Sequence, residues 1–100
     1  MNEISIEDFV KIDKSKLQII DIREQYEHAN GHIESNTNIP MENILESIQK
    51  IDSQKQVIIY CQTGRRAAAV VYMLKKKHNL NNVFNLIGGY QAYINFTSKK

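Results

Sequence analysis

Short, nearly continuous apolar runs alternate along this chain with stretches in which apolar residues recur every three or four positions. "LQIIDI" (Leu17–Ile22) and "VIIY" (Val57–Tyr60) have the pattern of strands buried on both faces. "VFNL" (Val83–Leu86) is a third such run, and "EIS" near Glu3 and "NIP" near Asn38 are weaker candidates. Helical patterns fill the gaps. Ile6–Ile12 is short and amphipathic, with Ser5 as a cap and Glu7 and Asp8 in the first turn. "REQYEHA" (Arg23–Ala29) has room for about two turns before Asn30–Gly31 stops it. "MENILESIQKI" puts Met41, Ile44, Leu45, Ile48 and Ile51 on one helical face. "GYQAYINF" predicts a short closing helix after Gly88–Gly89.

The best-specified helix starts at or just before Arg65, in "RRAAAVVYMLKKKH". Its three alanines allow close packing on a sheet. Lys75, Lys76, Lys77 and His78 fall in the last turn, where positive charge complements the helix dipole, and Asn79 suits the cap. The lysine run therefore reads as a helix end rather than a binding patch. Strands alternating with helices predict an α/β fold, a central, mainly parallel five-stranded sheet with helices on both faces.

Composition narrows the class without changing that picture. One hundred residues fit one domain spanning 1–100, and 42% apolar with 24% charged residues is globular rather than disordered. The net charge of +2 is weak and interleaved, which argues against a nucleic-acid footprint. No apolar run approaches the roughly 20 residues of a membrane span. The opening "MNEISIEDFV" carries Glu3, Glu7 and Asp8, so a secretory leader is not expected. A lone cysteine makes no internal disulfide, and the expected setting is cytoplasmic, with a reduced thiol.

That cysteine is the chemical focus. "VIIYCQTGRRAAAVV" holds the chain's only cysteine, two of its three arginines and one of its four glycines, although its ten lysines supply most of its positive charge. Cys61 directly follows a buried strand and precedes a buried helix, at the sheet edge where open α/β folds bind ligands. Gly64 permits a tight turn, and a turn feeding a helix start aims backbone N–H groups inward as an anion cradle. Arg65 and Arg66 at the rim reinforce it with forked donors. Helix N-termini and nearby arginines favour the thiolate, the nucleophilic form of cysteine. Taken alone, a cysteine after an apolar strand is most often a small buried hydrophobe. The glycine and two arginines at a strand-to-helix switch shift the balance towards catalysis.

"CQTGRR" followed by a helix resembles the active-site loop of the rhodanese family, C-R-[ST]-G-x-R. "IIDIREQYEHANGHIESNTNIP" is similar to that family's strand, D-x-R turn, short helix and G-H-I…N-I-P segment, and "NLIGGYQAY" to its late glycine pair. The resemblance runs from about Ile4 to Phe96. It implies a single-domain, rhodanese-like sulfurtransferase. Cys61 would take sulfane sulfur from an anionic donor such as thiosulfate, hold it as a persulfide, and pass it to a thiol or protein acceptor. Backbone N–H groups of Gln62, Thr63, Gly64, Arg65 and Arg66 would hold the anion. Arg66 matches the loop's final arginine, which helps fix the loop, whereas Arg65 takes the variable position. Arg23, in the D-x-R turn, would lie near the pocket, binding substrate or paired with an acid such as Asp21. The resemblance has departures. Gln62 stands where arginine is common, removing a charge and weakening the expected attraction for thiosulfate. "GHIESNT" lacks the usual proline, glycine and alanine, and Tyr93 replaces a frequent tryptophan.

Other classes compete with this one. Phosphatases and arsenate reductases of the C-x5-R type need five residues between cysteine and arginine, and four separate Cys61 from Arg66. A regulatory or sulfur-relay module with little small-molecule turnover is the main alternative. Among the histidines, His28 is expected on an exposed helical face, His32 in a structural hydrogen bond and His78 at a helix end. None is placed as a base for Cys61. No metal and no organic cofactor is expected.

Overall fold

The computed structural model describes residues 2–34 and 36–98. Strands β1 (Glu3–Ile4), β2 (Leu17–Asp21), β3 (Asn36–Asn38), β4 (Gln56–Tyr60) and β5 (Val83–Leu86) form one sheet in the order β1-β5-β4-β2-β3. Every pairing is parallel, with Ile19 opposite Ile58 and Ile58 opposite Phe84 at the centre. Both weak strand candidates are present, each at one edge. Helices α1 (Ile6–Phe9), α2 (Gln25–Ala29), α3 (Met41–Ile44), α4 (Arg65–His78) and α5 (Gly89–Thr97) connect or follow the strands.

Alternation along the strands sorts the apolar residues into two cores. Val57, Ile59 and Cys61 join Val70, Val71, Leu74 and Ile44 on the face covered by α3 and α4. Ile58 and Tyr60 point the other way, to Ile6, Phe9 and Ile33, with Tyr90, Tyr93 and Phe96 of α5 packed alongside. This period of two aims Cys61 towards the start of α4. Helix α4 occupies the span that its sequence predicts, and Asn79 closes it in the left-handed conformation, with φ 54°.

The stretch Met41–Ile51 departs from its sequence pattern. It forms one turn of α-helix and then a 3-10 turn at Ile48–Lys50 in place of a continuous helix. The bonds from Glu46 N–H to the Asn43 carbonyl and from Ser47 N–H to the Ile44 carbonyl overwind the chain between the two turns. Gln18 fixes where the segment must return. Its side chain donates to the Lys50 carbonyl at 2.8 Å and accepts from the Asp52 N–H at 2.7 Å. Ile44 and Ile51 are therefore buried separately, while Met41 and Leu45 remain exposed. No helix among the described residues is long and apolar enough to cross a membrane.

Candidate active site

Cys61 leaves β4 at its carboxyl end, and the chain turns into α4 through Gln62–Gly64. Gly64 holds φ 98°, a conformation that disfavours any residue with a Cβ. The first N–H groups of a helix lack intrahelical acceptors, and here one of them has been given sulfur. The Ala67 N–H donates to Cys61 Sγ at 3.3 Å and the Gly64 N–H donates to it at 3.1 Å. Two backbone dipoles thus converge on one sulfur at the positive end of a fourteen-residue helix, a setting that complements negative charge. Ala67 is a contributor that sequence reading left out; its position, three residues into the helix, is the signal that could have found it. Cys61 is 1% exposed, Gln62 and Arg66 are half-buried, and Thr63 and Arg65 face solvent.

The turn is held from three sides. Tyr90 and Gln91, in the first turn of α5, donate their N–H groups to the Cys61 and Gln62 carbonyls at 2.8 and 3.0 Å. Gly88 and Gly89, at φ 79° and 58°, bring that helix start against the cysteine loop. A Cβ on Gly89 would collide with the backbone of Cys61 and Gln62. On the second side, Arg66 makes a two-pronged pair with Glu27 of α2, both N–O distances being 3.2 Å. The Arg66 guanidinium draws the Glu27 carboxyl below its usual range, and Glu27 in turn raises Arg66. Glu27 also accepts the Glu24 N–H at 2.9 Å in a capping box, so the pair ties the start of α4 to the start of α2.

Arg23 holds the third side from within the core, at 2% exposure. Its Nε and Nη2 donate to Asp21, the shortest contact being 2.8 Å; Nη2 also donates to the Gly31 carbonyl, and Nη1 to Gln62 Oε1 at 3.1 Å. The guanidinium lies 4.4 Å from the centre of the Tyr90 ring. All three of its nitrogens are engaged by the protein. Burial pushes Asp21 up, but the hydrogen bonds from the Arg23 side chain and backbone, and that of His28, outweigh it and hold the carboxyl below its usual range. Burial also raises the Tyr60 phenol, whose oxygen accepts the Ile33 N–H.

The position of His28 corrects the expectation of an exposed helical face. Its Nδ1 lies 3.0 Å from Asp21 Oδ2, and its ring stacks on His32 at 4.0 Å. The buried carboxylate attracts a partner that helical periodicity alone turns outward. His32 is within 2.9 Å of the His28 carbonyl, as a structural role requires, and His78 ends α4. Among the described residues no group of three or more His, Cys, Asp or Glu side chains is placed to hold a metal ion.

A parallel sheet whose central strand ends in a cysteine loop, cradled by a helix start and buttressed by a glycine-pair turn, defines a class of protein. Residues 9–96 match the rhodanese-like domain, and the chain belongs to that family. Over 78 residues it is 33% identical to the uncharacterized protein YqhL of Bacillus subtilis, a match spanning 78% of this chain but 61% of that protein. It is 28% identical over 82 residues to the thiosulfate sulfurtransferase GlpE of Coxiella burnetii, covering 82% of this chain and 76% of the relative. The crystal structure of a rhodanese-related protein from Thermoplasma volcanium superposes with a TM-score of 0.86 at 26% identity, covering 96% of this chain and 93% of that one.

Proposed function

We propose that this chain is a sulfurtransferase of the thiosulfate sulfurtransferase type, working as a single domain through a persulfide on Cys61. The observation that carries the reading is the pair of N–H groups, from Gly64 and Ala67, converging on Sγ. In the first half-reaction the Cys61 thiolate attacks the outer sulfur of an anionic donor such as thiosulfate. The donor's S–S bond breaks, sulfite leaves with the electron pair, and Cys61 carries the extra sulfur. In the second, an acceptor thiolate or cyanide attacks that outer sulfur, the new S–S bond breaks, and the Cys61 thiolate is restored. No external oxidant or reductant enters.

Because Cys61 is nearly inaccessible, the donor must displace side chains at the loop surface, where Thr63 and Arg65 lie exposed. The loop N–H groups from Gln62 to Arg66 would then hold the donor's negative end, with Arg65 as the adjacent solvent-facing cation. Arg66 and Arg23 act as positioning residues, each bound to a carboxylate. Cys61 is the one cysteine of these 100 residues, so the acceptor thiol lies outside them, in a cytoplasmic setting a protein or small thiol.

Intact mass spectrometry of the reduced protein after incubation with thiosulfate tests the reading. A gain of one sulfur atom, removed by cyanide and absent in Cys61→Ser, is the expected result. Failure of thiosulfate, polysulfide and an organic persulfide alike to load the wild-type protein would overturn it.

A further inference from the structure

The arginines around the cysteine loop are mostly cancelled from within the protein. Arg23 is buried against the fully buried Asp21. Arg66 meets Glu27 in the two-pronged pair, and the Glu27 side chain is only 20% exposed, so solvent screens the pair weakly. Gln62 is neutral, and its Oε1 is turned inward to Arg23 Nη1 at 3.1 Å. Arg65 alone of the three arginines meets no carboxylate among the described residues. These three cations, set against Asp21 and Glu27, leave one uncompensated positive charge beside Cys61.

Glu27 is the carboxylate of this set whose effect reaches the sulfur. Its hydrogen bonds raise Arg66, burial opposes them, and the Cys61 sulfur adds a smaller pull in the same direction as Glu27. Arg66 therefore stands between carboxylate and sulfur, and Glu27 engages both its Nη1 and its Nη2. The other attraction for an anion is the start of α4, equivalent to about half a positive charge. Two of its N–H groups already serve Cys61 Sγ. The thiolate uses part of this field, so the two negative charges of thiosulfate exceed what is left. A donor with one negative charge comes closer to balance.

We propose that Glu27 is a specificity-determining residue: by cancelling Arg66 it makes the loop prefer a sulfane-sulfur donor with one negative charge over the dianion thiosulfate. Such a donor carries an organic group in place of one charged oxygen, as in an alkanethiosulfonate, R–SO2–S−. The Cys61 thiolate attacks its outer sulfur, the S–S bond breaks, and a sulfinate leaves with the electron pair. The inference rests on the sulfur-transfer reading of Cys61 and narrows its donor.

The probes are thiosulfate and methanethiosulfonate, compared by the rate at which each adds one sulfur atom to the reduced protein in intact mass spectra. Dividing each rate by that of the same donor with 2-mercaptoethanol removes the intrinsic difference between their leaving groups. The normalised ratio of methanethiosulfonate to thiosulfate should exceed one in the wild type. Glu27→Gln frees Arg66 and should lower the ratio about three- to tenfold, the effect of one unit charge a few ångströms away on a dianion relative to a monoanion. Arg66→Gln leaves Glu27 uncompensated and should raise it. Loss of the clamp loosens the loop in both variants, so a merely structural role would move the ratio the same way in each. Thr63→Lys adds a charge at an exposed loop position and should lower the ratio with the clamp intact. Circular dichroism identifies a variant that fails to fold, and the other member of the pair then carries the test. A wild-type ratio below one, or a ratio unmoved by Glu27→Gln and Arg66→Gln, would overturn the proposal while leaving sulfur transfer intact. Failure of both donors to load Cys61 would also overturn it, and polysulfide and an organic persulfide then decide whether the sulfur-transfer reading falls as well.

Discussion

The chain turns twice from a buried strand into a helix through a left-handed glycine, after β4 and after β5, and the two turns use the same backbone device differently. At Gly64 the unbonded N–H groups of the helix start point to a sulfur atom. At Gly88 and Gly89 they point to the carbonyls of the first turn, holding Cys61 and Gln62 from beneath. One turn is the candidate site and the other is its foundation. A helix start offers donors, and whether they serve chemistry or architecture depends on what the tertiary structure sets before them.

The comparison is broken most severely by removing the foundation. Gly89→Ala needs φ near 58° and a Cβ where the Cys61 and Gln62 backbone already lies, so it should cost about 2–4 kcal/mol of stability. Urea unfolding would read that loss, and a variant as stable as the wild type would show that the second turn does not support the first. Arg66→Ala removes the clamp to Glu27 and the cation beside the loop. Sulfur transfer should fall roughly 10- to 100-fold, the equivalent of one or two charge-assisted contacts. Gln62→Ala removes a single neutral acceptor from Arg23 and should cost less than about fivefold. Equal activities in these two variants would contradict the roles given to them.

The smallest effect is a pH dependence, absent near neutrality. Asp21 and Glu27 are both held below their ordinary values of 3.8 and 4.5. A depressed folded-state value stabilises the protein at pH above the unfolded value, and the benefit is lost as pH falls through the folded one. The urea midpoint should therefore be flat from about pH 5 to 6 and decline below about pH 4.5, with a shallower decline in Glu27→Gln. A decline of the same steepness in that variant would leave Glu27 without a part in it.

Much of this arrangement could be read from residue order. Continuous apolar runs announce buried parallel strands, and Cys61, Gly64 and Arg65 mark a strand-to-helix turn within a few residues of one another. Contacts between distant segments were less legible. Glu27 faces Arg66 only because α2 and α4 begin at the same sheet edge, and Gly89 is required by the backbone of residues that precede it by more than two dozen positions. Helical periodicity turns His28 outward because it ignores the pull of a buried carboxylate. The Met41–Ile51 stripe reads as one helix, but the two hydrogen bonds of Gln18 outweigh its periodicity. Asn85 in "VFNL" was visible as a polar residue in a buried strand, but what it faces depends on the edge strand beside it.

Strand order also has a consequence during synthesis. Among the described residues β1 pairs only with β5, and the Cys61 and Gln62 carbonyls obtain their donors from Tyr90 and Gln91. A nascent chain leaving the ribosome holds its first strand unpaired until Val83–Leu86 emerges, and its cysteine turn remains unsupported until the start of α5 follows. The central β2–β4 pair can assemble earlier, but the turn at Cys61 and Gln62 settles only once the start of α5 has been translated.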